Sequence, residues 1–353
     1  MSSNSYNTQD PVYTAVTLQV VVKGVSRCSD KASAREVMAS QLDHFSERIS
    51  GCRQWGGTDL KLVVLPEYCL TSFPQGESIP LWADKAALDM DGPEYERFSM
   101  MASDNGVYLA GNVYEKDPHF PDLYFQTCFL IDPTGDVILR YRRLNSMYAP
   151  TPHDVWEKYL DIFGLDGVFP VAKTDIGNLA PIASEEIFYP EIARCFAMRG
   201  AEVFFHPTSE GGSPLQSNRD VCKLARAIEN IAYVISSNTG GILDIDLPEG
   251  SANGCSQIVD YRGKILTEAG WGETAVTAEI DIAALRRERR RPGMNNYLSR
   301  QRFEAFADSY VLAESYPANL LLGEGGAIKI PERAHFQMAQ REVIARLDSL
   351  GII

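Results

Sequence analysis

Three residues of this chain could together make and break an acyl bond, and each stands just past a short apolar run: Glu67 after residues 60–65, Arg143 after residues 137–141 and Ser184 after residues 179–183. A carboxylate can act as a base, a guanidinium can hold an oxyanion, and a hydroxyl can attack a carbonyl carbon, which is the set an acyl-transfer site needs. Taken singly, each has an ordinary reading as surface or capping chemistry. Position is what joins them, because strands that end on one edge of a sheet bring the residues after them into a common crevice.

The elements that must do this positioning are legible as patterns. Residues 60–65 read as a strand buried on both faces that stops at Pro66-Glu67. Before it, residues 13–22 alternate as a strand, and residues 32–49 carry Val37, Met38, Leu42, Phe45 and Ile49 at helical spacing. Residues 92–105 read as a helix, 107–114 and 124–131 as strands, and Pro133-Thr134-Gly135-Asp136 as a hairpin turn into the strand 137–141. Further strands are expected at 179–183, 203–205, 233–236, 256–259 and 275–279, with helices at 190–199 and 220–230. This alternation, followed by hairpin-like strands, argues a layered α/β domain rather than a doubly wound sheet. From about Ile282 the pattern changes to a charged helix, a break at Pro292-Gly293, helical residues 298–313, an irregular stretch and a last helix at 334–347. The chain therefore divides into a disordered tail at 1–12, a domain at 13–282, and an extension at 283–353 that packs on the core or on a partner subunit.

Composition excludes several classes. The 353 residues are 45% hydrophobic and 23% charged, an ordinary globular balance. No apolar run approaches the ~18 to 20 residues that span a bilayer, and the polar start lacks a secretory pattern, so a cytoplasmic protein without a membrane partner is expected. Seven cysteines without CxxC spacing fit reduced thiols better than a disulfide framework or a structural zinc site, and the five histidines never pair at metal-ligand spacing. Gly211-Gly212 and Gly240-Gly241 lack the spacing of a dinucleotide loop, so neither metal nor cofactor is expected. A net charge of -14 repels phosphate backbones, and the basic cluster at 286–291 reads as a solvated helix end, which disfavours nucleic acid and leaves a small molecule as the expected ligand.

In their order along the chain, these pieces resemble the nitrilase superfamily of carbon-nitrogen hydrolases. Val63-Val64-Leu65-Pro66-Glu67 is similar to that family's first-glutamate motif, residues 135–143 to its glycine-hairpin-lysine segment, and residues 183–191, ending in Tyr189-Pro190-Glu191, to its cysteine motif. Arg199-Gly200-Ala201-Glu202, Ala225-Arg226-Ala227-Ile228-Glu229-Asn230, Ser237-Asn238 and Gly263-Lys264-Ile265-Leu266 follow the family order, so the resemblance covers roughly residues 13–282. It implies a four-layer α-β-β-α sandwich, hydrolysis of a small amide or N-carbamoyl compound without metal or cofactor, and a homodimer or larger homo-oligomer paired through the helices at 190–199 and 220–230. It also implies a second acid between the lysine and cysteine positions, for which Asp154 and Glu157 are the candidates. Substrate contacts are expected from Glu185, His153, His206 and Glu210; Phe120, Pro121, Tyr124 and Trp156 read either as an aromatic substrate wall or as core or lid packing. The loops 71–84, 117–123 and 146–168 would set specificity.

Two departures matter: the family lysine falls on Arg143 and the family cysteine on Ser184. A serine hydroxyl is a weaker nucleophile than a thiolate and must give up its proton during attack. Glu67 must then be a stronger base than in the cysteine enzymes, and Glu185 and Glu186 are expected to supply the repulsion that makes it so. Arginine keeps the charge but is larger and planar, so the pocket geometry must differ. The sequence thus leaves open an acyl-enzyme at Ser184, a fold retained for binding or regulation without turnover, and a serine introduced in place of a native cysteine.

Overall fold

The strand Leu60–Val64 shows how the layers arise. Leu62 and Val64 point into a core shared with Phe204 and Val234 of a second sheet, while Val63 and Leu65 point into another shared with the helix residues Met38, Phe45 and Phe98. That alternation is the period of two of a strand buried on both sides.

The computed structural model describes residues 11–211, 217–313 and 315–353; most of the expected N-terminal tail and Gly212 lie outside the described residues. Two six-stranded sheets face each other. From edge to edge the first contains Thr274–Asp281, Val12–Gln19, Leu60–Val64, Tyr108–Lys116, Tyr124–Ile131 and Val137–Arg142. The second contains Ile265–Glu268, Gln257–Val259, Tyr233–Asn238, Val203–Thr208, Gly177–Pro181 and Ala172–Thr174. Each sheet holds a parallel trio, centred on Leu60–Val64 in one and on Val203–Thr208 in the other. Helices Lys31–Gly56 and Pro93–Asn105 cover the outside of the first sheet, and Pro190–Met198 and Asn218–Asn230 the outside of the second, completing the α-β-β-α sandwich. Among the described residues no helix is long and apolar enough to cross a membrane.

Local chemistry accounts for the boundaries. Asp30 and Ser217 cap their helices by accepting hydrogen bonds from Ser33 N and Asp220 N, and Pro93 and Pro190 sit where a missing N–H costs nothing. Some expectations shift. Val12 belongs to the first strand, paired with Asp281, and not to a tail. The strand expected at 179–183 is Gly177–Pro181, because after Ile182 N bonds Phe205 O at 2.9 Å the chain turns out of the sheet. The helix expected at 298–313 is split: Asn296 and Ser299 bond each other's backbone to close a short 3-10 turn, and the helix runs only over Glu304–Leu312.

The C-terminal extension packs on the core of its own chain. Asn319 N and Leu321 N donate to the carbonyls of His153 and Asp154, both at 2.9 Å. Leu321 is buried among Phe120, Phe125, Val155 and Tyr159, and Phe336 of the last helix, Arg333–Ser349, joins the core between the first sheet and its helices.

Candidate active site

The parallel strand Val203–Thr208 brings the two halves of the site together. Its His206 donates from Nε2 to the carbonyl oxygen of Ser184 at 2.8 Å, and two residues on, the Thr208 carbonyl accepts from Glu67 N at 3.3 Å. Ser184 thus hangs from one sheet and Glu67 from the other, at the carboxyl ends of the central strands. Ser184 opens a 3-10 turn, Ser184–Phe188, and is buried with φ at 49°, a left-handed conformation that a non-glycine residue holds only when its surroundings impose it. His206 holds the Ser184 carbonyl, and the Nδ1 of that ring accepts from the Ser236 hydroxyl at 2.9 Å and so fixes the tautomer with hydrogen on Nε2. Burial, with the charges of Lys223 and Arg219, pushes the His206 pKa well below its ordinary value, so the ring is neutral.

Arg143 closes the circle. Its Nη1 donates to Glu67 Oε1 at 3.3 Å and to Gln126 Oε1 at 2.7 Å, its Nη2 pairs with the Glu185 carboxylate, and its Nε donates to the Asn145 carbonyl. The carboxylate of Glu67 is equally engaged: Gln126 Nε2 donates to Oε1 at 2.6 Å and Ser209 Oγ to Oε2 at 2.7 Å. The structure therefore gathers Glu67, Arg143 and the Ser184–Glu185 turn into one buried network.

The acids around Ser184 do something other than expected. Glu185 faces Arg143, and the fully buried Glu186 accepts from Leu144 N and Asn145 N at 2.8 and 3.0 Å and from Tyr141 Oη at 2.8 Å, so it anchors the loop that carries Arg143. Burial pushes the Glu186 pKa up, against the pull of Arg143 and these donors. Each acid is turned toward a cation or toward N–H groups. The guanidinium's ion-pair partners are Glu67 and Glu185; Asp154 and Glu157 are not among them. Asp154 instead accepts from Thr151 N and Oγ1, both at 2.8 Å, in a capping box, and Glu157 is exposed, with its N–H on Asn319 Oδ1.

Of the expected substrate contacts, His206 acts through the Ser184 backbone, and Glu210 bonds the buried Lys223 Nζ at 2.7 Å. Phe120 and Tyr124 are core residues, whereas Trp156 and His153 line a cavity of about 530 Å³ beside Glu185. Gln126 and Ser209 were missed. A usable signal existed for Gln126: it and Asn112, which are 3.1 Å apart, are polar residues inside strands that are mostly buried and apolar. Ser209 has no comparable mark.

The carbon-nitrogen hydrolase family model matches residues 25–290, three quarters of the chain's length. The chain belongs to the carbon-nitrogen hydrolase family. An omega-amidase of Xenopus tropicalis is 24% identical over 250 residues, covering 70% of this chain and 86% of its own. Among solved structures, a carbon-nitrogen hydrolase from Helicobacter pylori superposes with a TM-score of 0.65 at 22% identity, over 85% of this chain and 98% of that one. An amidase from Nesterenkonia superposes with a TM-score of 0.61 at 19% identity, over 84% and 96%. These structures share the fold. A variant of the Nesterenkonia enzyme carries the acetamide moiety of fluoroacetamide on its active-site cysteine, whereas this carbon-nitrogen hydrolase family member has seven cysteines, none of them in the Ser184 turn.

Proposed function

We propose that the protein hydrolyses a small amide or N-carbamoyl compound through an acyl-enzyme on Ser184. The observation that carries this reading is the network in which Glu67, Arg143 and the Ser184 turn meet at the carboxyl ends of the two central strands. A carboxylate offers about four acceptor sites, and Glu67 uses three, for Gln126, Arg143 and Ser209. The fourth takes the Ser184 proton as the hydroxyl oxygen attacks the carbonyl carbon. The remaining Nη2 hydrogen of Arg143 and the N–H of Glu185 stabilise the oxyanion. Glu67 then returns the proton to the departing nitrogen, and water, deprotonated by the same carboxylate, releases the acid and restores Ser184. A panel of small amides and N-carbamoyl compounds tests this: turnover must vanish in Glu67→Gln and in Ser184→Ala, and a panel with no turnover sinks it.

One observation favours a second reading, a binding protein of the same fold without turnover. Both Glu67 oxygens are held by Gln126, Arg143 and Ser209, and none of the three donors is Ser184. On this reading Ser184→Ala keeps ligand-induced thermal stabilisation intact, and no member of the panel is consumed. Under either reading a second copy packs on the helices Pro190–Met198 and Asn218–Asn230, which leave Met198, Val221 and Ile228 exposed. Light scattering that gives the 39.2 kDa mass of one chain would refute that pairing.

A further inference from the structure

The cavity of about 530 Å³ beside the network has walls of two origins. One is formed by residues that flank the catalytic positions, including Asn145, Glu185 and Tyr189; the other is formed by the C-terminal extension, through Tyr316, Phe336, Gln340 and Val343. The second set lies beyond residue 290, where the family match ends, so that wall is an addition to the shared domain. It is also fixed in place, by the hydrogen bonds of Asn319 and Leu321 to the His153 and Asp154 carbonyls and by the burial of Leu321 and Phe336. A wall held in this way is preformed and costs little ordering when a ligand enters.

The lining has a definite chemistry. Trp156, Tyr189, Tyr316 and Phe336 contribute aromatic surface, His153 an imidazole, and Glu185 and Asp154 carboxyl groups that are already engaged by Arg143 and Thr151, and among the described lining residues there is no lysine or arginine. Aromatic faces accept apolar groups and cations, and carboxylates repel an anion. The cavity lies beside the network: its lining includes Glu185, which follows Ser184, and Asn145, and both are bonded to the Arg143 guanidinium.

We propose that this cavity is the subsite for the non-reacting substituent of the substrate, and that the C-terminal extension thereby selects amides carrying an aromatic or branched apolar group, neutral or cationic, over amides carrying a carboxylate. The selection rests on the hydrolytic reading; the binding half stands without turnover.

The test uses the full chain with acetamide, phenylacetamide and succinamate. Gln340 is exposed at the cavity rim, so Gln340→Trp fills the space without touching the core, and Tyr316→Ala enlarges it. The ratio of kcat/KM for phenylacetamide over acetamide is expected to fall about tenfold or more in Gln340→Trp, and succinamate is expected to be the poorest of the three in the unaltered protein. In parallel, phenylacetamide should raise the Tm of Ser184→Ala, and adding Gln340→Trp should remove that shift. A Tm shift lost in this way without turnover of any amide supports the subsite and sinks hydrolysis. Turnover with the ratio unchanged in both cavity variants, or with succinamate preferred, overturns the subsite and leaves hydrolysis standing. Neither turnover nor a Tm shift with any of the three overturns both. Should Gln340→Trp fail to fold, a phenylacetamide ratio unmoved by Tyr316→Ala overturns the subsite on its own.

Discussion

Arg143 Nη1 lies 3.3 Å from Glu67 Oε1, and through its other nitrogen the same guanidinium holds Glu185, the residue after Ser184. One planar cation thus ties Glu67 to the Ser184 turn. A lysine ammonium has three donors at a single point and cannot serve Glu67, Gln126, Glu185 and the Asn145 carbonyl together. The arginine is therefore part of how this site is built, and replacing it has consequences for stability as well as for activity.

Removing the cation leaves a buried carboxylate, Glu67, and a partly exposed one, Glu185, without their partner. Arg143→Met is expected to destabilise the fold by about 3 to 5 kcal/mol, and Arg143→Lys by less, because the charge remains while the fork is lost. Urea denaturation followed by circular dichroism measures both. Equal stability of Arg143→Met and the unaltered protein would mean that the network contributes nothing to the fold.

Replacing the hydroxyl by a thiol tests the chemistry of the site. In Ser184→Cys the introduced thiol ionises more easily than a hydroxyl, and amide turnover should rise by at least about tenfold, more so when combined with Arg143→Lys. The introduced thiol should also react with iodoacetamide faster than Cys69, whose pKa burial pushes up to about 12, or Cys128, which burial also raises. Mass spectrometry of the labelled peptides ranks them. An introduced thiol no faster than the buried cysteines would show that the site does not activate a nucleophile.

The fold was legible because the apolar residues carry it. Strands such as Leu60–Val64 and helices such as Lys31–Gly56 announce themselves by spacing, and the residues that follow strand ends fall where a sheet edge must place them. The second acid was not legible. Asp154 stands at a plausible place in the sequence, but Thr151 captures it locally, and the acid that meets Arg143 is Glu185, which comes from across the sandwich. Ser209 reaches Glu67 across 142 positions of sequence, a separation over which pattern carries no information. The wall made by Tyr316 and Phe336 was invisible for the same reason: a helical extension reads as amphipathic chain, and its docking site depends on loops whose course no local rule fixes.

His206 gives the fold a specific acid sensitivity. Its folded pKa is depressed, so below about pH 6.5 the unfolded chain binds a proton that the folded chain does not, and stability falls as pH falls, by about 1.4 kcal/mol per unit for this one group. Glu186, whose folded pKa is raised, acts with the opposite sign: its contribution declines as pH rises from its ordinary value toward the folded one. The difference between the unaltered protein and His206→Gln isolates the histidine from this opposing contribution. Across pH 5 to 7 that difference should shrink toward low pH, as read by denaturant midpoints at each pH. A constant difference would mean that His206 titrates in the fold as it does in the unfolded chain, and a difference that grows toward low pH would mean that it is protonated in the fold; either would overturn the neutral ring.

Leu321 ties the C-terminal extension to the domain. Its side chain is buried among Phe120, Phe125 and Tyr159, while its N–H donates to the Asp154 carbonyl and its own carbonyl accepts from Lys329 N at 2.8 Å. Leu321→Ala removes apolar contacts from a small satellite core that has little capacity to collapse around the gap, so a local cost of about 2 to 5 kcal/mol is expected. The sandwich has its own cores on both faces of the first sheet and keeps its global unfolding midpoint, whereas the extension opens more often. Hydrogen exchange should therefore accelerate at Asn319, Leu321 and Lys329 while the amides of Leu60–Val64 and Val203–Thr208 stay protected. Faster exchange in those central strands as well would show that the extension and the sandwich unfold as one unit.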